Sequence, residues 1–187
     1  MPTFVAGERA ALCETARSTG PDAPTLCEGW TVRDLLVHLA RRAGRLREKP
    51  AGLPFDDLVD LVRSGPPAWS PARFGPVAEL VDLAEFTVHH EDVRRGAGAA
   101  EPRELPRGQQ QALWRTVSRL GRLSYRKSPT GVVLVVPQGP RVVVKRGADA
   151  VSITGEPLEL LLHAFGRRER ARVEIDGSPA TLARFTA

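Results

Sequence analysis

Lysine is nearly missing from this chain. Of 27 basic side chains only Lys49, Lys127 and Lys145 are lysines, and the rest are arginines. Aromatic residues are scarce too, at 5%, with Tyr125 the single tyrosine. Two cysteines, Cys13 and Cys27, are too few for a disulfide scaffold or a four-cysteine zinc site, and they suit a reducing compartment. No run of about 18 apolar residues occurs, so no membrane-spanning helix is expected. The opening stretch MPTFVAGERAAL lacks the basic start and apolar run of a secretory signal, which makes the cytoplasm the expected location. A glycine-rich phosphate loop, a catalytic-serine elbow and zinc-finger spacing are all absent.

What is present points to a folded protein. The 187 residues are 42% hydrophobic, enough for one large domain or two small ones, and too apolar for disorder. A net charge of +5 and a pI near 10.0 raise nucleic acid as a partner. The arginines, however, are interleaved with acids, as in Arg41-Arg42…Glu48 and Arg167-Arg168-Glu169-Arg170. No aromatic-basic motif accompanies them, so neither nucleic acid nor membrane is an expected partner.

Two textures divide the chain. Residues from about 2 to 126 carry helical periodicity, with helices over 4–17, 31–48, 55–63, 76–95 and 108–126. Thr31 and Asp34 form a capping-box-like start, followed by the stripe Val32, Leu35, Leu36, Leu39, Ala43 and Leu46. From Ser128-Pro129-Thr130-Gly131 onward, β-branched runs appear at Val132–Val136 and Val142–Lys145, split by Pro137-Gln138-Gly139-Pro140. Further strands are expected at Val151–Thr154 and Arg172–Ile175, with helices at Leu158–Phe165 and the C-terminus. The expected fold is mainly α: a four-helix unit, residues 1–128, then a small α+β unit, residues 129–187.

Chemistry concentrates in Leu83-Ala84-Glu85-Phe86-Thr87-Val88-His89-His90. Residues four apart lie on one helix face, so Glu85 and His89 can reach one ion. At about 100° per residue, Asp82, Glu85, His89 and Asp92 share one stripe. Val77, Val81, Ala84 and Val88 lie on one side of it, Phe86 and Val93 on the other. A polar stripe between apolar flanks calls for a partner that offsets desolvation, and a metal ion is the usual one. His38, one turn after Asp34, flanks the leucine stripe of its own helix. With Glu85 and His89 it makes a two-histidine, one-carboxylate set, the ligand type of catalytic zinc with one open position. Helix-surface pairing of Glu85 with His89, and a His38–Asp34 hydrogen bond, are the plainer alternatives. Asp34 and Asp92 are candidates to orient the imidazoles, with Asp82 behind them. His90 points away from the stripe, and His163 sits in a leucine-rich helix that suggests packing. Cys13 and Cys27 read as small buried hydrophobes, although Cys27 lies near a helix start where a thiol is activated. Trp30, Trp69 and Trp114 read as packing residues, with Trp69 in a proline-rich loop that can line a pocket.

The stretch Cys27-Glu28-Gly29-Trp30-Thr31-Val32-Arg33-Asp34-Leu35-Leu36-Val37-His38-Leu39-Ala40 resembles the second-helix signature of the DinB-like superfamily. Within it, the likeness is to the actinobacterial mycothiol-dependent maleylpyruvate isomerase family. Glu85-Phe86-Thr87-Val88-His89-His90-Glu91-Asp92-Val93-Arg94-Arg95 is similar to the third-helix signature of a metal-binding branch of that family. The resemblance covers about residues 3–126, and more weakly the tail Gly155–Arg167. It implies a DinB-like four-helix bundle with a divalent metal, zinc by ligand type, on His38, Glu85 and His89. It also implies mycothiol as co-substrate and an isomerase or transferase reaction on an electrophilic or acidic small molecule. Arg141 and Arg167 are the candidate anion-binding residues for the thiol or substrate. A non-catalytic metal-containing module that holds a small ligand between the two domains is the alternative. The chain is expected to be a monomer or a homodimer.

Overall fold

The structure is a computed structural model that describes residues 3–46, 52–67, 76–98 and 100–186. Its contacts divide the chain into two units, Met1–Arg103 and Glu104–Ala187. Among the described residues, no helix is long and apolar enough to cross a membrane.

The first unit is helical: α1 (Phe4–Thr19), α2 (Val32–Arg42), α3 (Phe55–Arg63) and α4 (Pro76–Gly96). The start of α2 is a full capping box, in which Thr31 accepts from the Asp34 backbone and Asp34 accepts from the Thr31 backbone. Its end departs from the expected residue 48. Gly44, at φ 73, takes the left-handed conformation. Gly44 N–H then bonds to the Arg41 carbonyl and Arg45 N–H to the Ala40 carbonyl. This is the glycine stop that closes a helix after Arg42. In α3, Asp56 and Asp57 occupy the first turn and Arg63 the last, the charge order that complements the helix dipole. The helix α4 packs along α1, and α3 joins α1 and α2. Leu12, Ala16, Leu35, Leu36, Leu39, Leu58, Val59, Phe86 and Val93 form the core between them. Each large apolar side chain so buried contributes about 1.5–3 kcal/mol.

The second unit holds α5 (Arg107–Ser124), β1 (Gly131–Val135), β2 (Arg141–Lys145), β3 (Ala150–Thr154), α6 (Pro157–Ala164), β4 (Glu174–Asp176) and α7 (Pro179–Thr186). The sheet order is β2-β1-β3-β4. The pairs β1/β2 and β3/β4 are antiparallel, while β1 and β3 run parallel. Between β2 and β3 the chain crosses the start of β1, where Gly131 N–H bonds to the Asp149 carbonyl at 2.8 Å. A side chain on Gly147 would place its Cβ 2.5 Å from the Gly131 nitrogen, so the crossing requires glycine. Val132, Leu134, Val144, Val151 and Ile153 are buried, as are Leu158, Leu160, Leu161 and Leu162 of α6.

A helical unit followed by a small α+β unit is thus the architecture, as expected. The expected boundary at residue 128 marks the change from helix to strand. The compact units divide earlier, after Arg103, because α5 packs on α6 and β2.

Candidate metal centre

The capping box sets where α2 begins, and His38 follows on its second turn. Its Nε2 lies 3.1 Å from Glu85 Oε1, and His89 Nε2 lies 3.4 Å from the same oxygen. The three ligand atoms of His38, Glu85 and His89 fall within 4.8 Å of one another. The His38 and His89 rings meet edge-on, 5.4 Å between centroids and 71° apart. The helix spacing of Glu85 and His89 therefore delivers both to one point, and α2 brings His38 to it.

Behind His89 lies a second layer. Its Nδ1–H donates to Asp92 Oδ2 at 2.8 Å, and the Asp92 side chain is wholly buried. With Nδ1 tied to Asp92, Nε2 is the ring nitrogen that faces Glu85. Cys27 donates its S–H to the same Oδ2 at 3.2 Å, and its sulfur lies 3.8 Å from His89 Nδ1. Cys27, His89 and Asp92 form a second cluster of metal-capable groups. Of the two readings of Cys27, the small buried hydrophobe is corrected here, because the residue is half-buried and its thiol donates to a buried carboxylate. Cys13 is buried and donates to the Val59 carbonyl, and burial pushes its thiol up to about 11.

Burial tends to raise Glu85, but hydrogen bonds from His89 and His38 and the charge of Arg42 outweigh it and bring it down to about 2. Burial tends to lower His89, yet its bonds to Asp92, Cys27 and Glu85 lift it to about 11. Glu85 is therefore a carboxylate at neutral pH. His38 also lines a cleft of about 630 Å³, with Gly29, Trp30, Asp34, Val37, Arg41 and Arg42.

The other expected residues fall as follows. Asp34 lines this cleft, but its Oδ2 accepts from the Thr31 backbone and hydroxyl at 3.2 and 2.8 Å, which ties it to the helix cap. Asp82 accepts from Arg42 at 2.8 Å. His90 turns to α1, with Nδ1 2.8 Å from Glu8 and Nε2 2.8 Å from Thr15. His163 is buried and its Nδ1 lies 2.7 Å from the Tyr125 hydroxyl. Arg141 belongs to the second unit, beside Ser152, Thr154 and Asp176 in a cleft on the sheet. Arg167, also in the second unit, donates to the Phe165 carbonyl at 2.7 Å. Trp114 is half-buried on α5, and Trp69 lies outside the described residues. Sequence reasoning missed the Cys27–Asp92 contact, which spans 65 positions. The cysteine and aspartate were both visible as residues, but no spacing rule joins a loop to a distant helix.

Two histidines and a carboxylate on neighbouring helices, in a helical unit followed by a small α+β unit, define the class. The family profile described as the mycothiol maleylpyruvate isomerase N-terminal domain matches residues 5–165, and the chain belongs to that family. No curated protein matches the chain. A similar solved structure is that of a histidine-to-alanine variant of mycothiol-dependent maleylpyruvate isomerase, at 17% identity and a TM-score of 0.58. The match covers 94% of this chain and 96% of that one, and at this identity it shows a shared fold.

Proposed function

We propose that the chain is a metal-dependent enzyme that uses a small thiol, mycothiol, as an isomerase or S-transferase acting on an electrophilic small molecule in the cytoplasm. The observation that carries this reading is the convergence of His38 Nε2, Glu85 Oε1 and His89 Nε2 within 4.8 Å, in a chain of this family. Two imidazole nitrogens and one carboxylate oxygen fit a divalent cation, zinc by ligand type. When bound, that cation supplies an open coordination position where a thiol binds as thiolate at lowered pKa and can attack an electrophilic carbon.

The chain's own residues prepare that position. Asp92 fixes the Nδ1 proton of His89 and so the direction of its Nε2. Glu85 brings the negative charge. Trp30 and Val37 give the cleft an apolar wall, and Arg41 places a cation there for an acidic substrate. Asp34, through the cap, sets where α2 begins and so where His38 falls. Arg141 and Arg167 are proposed only as anion contacts of the second unit.

Metal analysis tests the site. Protein prepared with zinc or nickel is expected to carry about one equivalent, and His89→Ala to lose it. Metal-free wild-type protein under those conditions overturns the reading. Turnover of maleylpyruvate or a haloarene with mycothiol tests the chemistry. Full metal occupancy without turnover across such a panel would favour a non-catalytic, metal-containing binding module.

A further inference from the structure

The loop between α1 and α2 contributes none of the trio His38, Glu85 and His89, yet it touches both helices that carry them. Within itself it is tightly tied. Pro24 pairs with Thr31 as an isolated bridge. Thr25 N–H bonds to the Trp30 carbonyl at 3.1 Å, Trp30 N–H to the Cys27 carbonyl at 2.9 Å, and Cys27 N–H to Thr25 Oγ1 at 3.2 Å. Gly29, at φ 74, makes the turn. The loop is then docked on α4 by its backbone, with Leu26 N–H bonded to the Asp92 carbonyl at 3.0 Å. One turn further along α4 it lies directly on Gly96, where an added Cβ would sit 2.5 Å from Thr25 Cα and closer still to the Pro24 carbonyl.

That docking aims two side chains. Cys27 shares Asp92 Oδ2 with His89. Two donors on one oxygen hold the buried carboxylate in a single orientation, and the carboxylate in turn holds the imidazole. At the other end, the Trp30 ring packs 5.2 Å from the His38 ring, tilted by 51°. Trp30 is 37% exposed, so its burial in the core does not explain its place. Its ring contact is with a candidate ligand.

We propose that the loop 24–31 is a clasp that preorganises the metal ligands from outside the ligand set: Cys27 positions His89 through Asp92, and Trp30 positions His38. The proposal rests on the metal reading above. Its consequence is that metal affinity depends on residues that never touch the ion, since partners behind a ligand typically contribute 10–100-fold in affinity.

Cobalt(II) titration followed by its visible d–d spectrum, with zinc competition, tests this on the full chain. Cys27→Ala and Trp30→Ala are each expected to weaken binding roughly tenfold, with far-ultraviolet circular dichroism unchanged. Cys27→Ser restores the hydrogen-bond donor and should recover most of the loss. Gly96→Ala is the remote arm. Alanine is the better helix former, so a weaker metal site with helix content intact reports displacement of the loop alone. Variants that bind as tightly as the wild type overturn the clasp and leave the metal site standing. A thiolate-to-cobalt charge-transfer band abolished by Cys27→Ser overturns it differently, by making Cys27 a ligand. A wild type that binds neither cobalt nor zinc overturns the metal reading itself, and the clasp with it.

Discussion

The first unit buries Glu8, His89, His90, Glu91, Asp92 and Arg95, while the second buries Leu158, Leu160, Leu161, Leu162, Val132, Leu134 and Ile153. Glu91 of α4 meets Arg94 at 2.9 Å and Arg95 at 2.5 Å on the same helix, and Arg103 beyond its end at 2.6 Å. Glu8 of α1 meets His90 at 2.8 Å and Arg103 at 2.7 Å. Buried ion pairs add little net stability because desolvation offsets their attraction, but breaking one is costly. An apolar stripe tolerates some rotation of a helix about its axis. A network of directional bonds tolerates almost none. The rotation of α4 is therefore set by polar contacts on several sides, which is what Glu85 and His89 need if both are to face His38. The second unit has no such demand. There, His163 and Tyr125 form a neutral pair, and Glu159 accepts from the Arg172 backbone at 2.9 Å.

The sharpest way to break this contrast is to remove the hub of the charged network. Glu91→Ala removes the buried carboxylate that Arg94, Arg95 and Arg103 share and is expected to cost about 3–5 kcal/mol. It should appear as a lowered urea midpoint, with hydrogen exchange rising first in peptides of α1 and α4. An unchanged midpoint would mean the network is not what holds the first unit.

Acid should separate the units in the opposite order. Burial, aided by Arg168, holds His163 down to about 4 from its ordinary 6.5. Above pH 6.5 both folded and unfolded forms are neutral there. As pH falls from 6.5 to 4, the unfolded chain takes up a proton that the folded unit refuses. Stability is lost across that window, by roughly 3 kcal/mol at its lower end. Burial tends to raise Glu8, but bonds to His90 and Arg103 prevail and hold it at about 2 instead of 4.5. Its contribution is present above 4.5 and lost only between 4.5 and 2. Hydrogen exchange corrected for intrinsic rates should therefore show the sheet and α6 opening before α1 on acidification. Opening of α1 first would reverse the comparison.

Smaller effects sharpen it. Tyr125→Phe leaves the buried His163 nitrogen without its partner and should cost about 1–2 kcal/mol, read as a shift in thermal midpoint. Arg184 and Asp149 pair at 2.7 Å but are both more than half exposed. Arg184→Ala should therefore change stability by under about 1 kcal/mol, and a larger loss would show that the surface of the second unit carries more than its core suggests.

Much of the secondary structure was legible because its signals are local. Thr31 with Asp34 starts a helix wherever it occurs, and the Pro137–Pro140 turn between valine runs makes a hairpin. The end of α2 was also written locally, in Gly44, but the apolar Leu46 beyond it extended the apparent stripe. The spacing of Glu85 and His89 brought both to one point, since a helix turns by a constant angle. The division after Arg103 was not legible, because whether α5 packs with the helices before it or the sheet after it depends on contacts, not on texture.

By itself, then, the sequence determined the helices, the hairpin and the meeting of Glu85 with His89, because each follows from a periodicity or a cap within a few residues. Tertiary structure alone decided that Cys27 reaches Asp92, that Trp30 covers His38, and that Glu8, His90, Glu91 and Arg103 share one buried network. Those contacts join residues from 8 to 95 positions apart. No local rule encodes such distances, because the chain between them is free to bring the ends together in many ways until the packed core selects one.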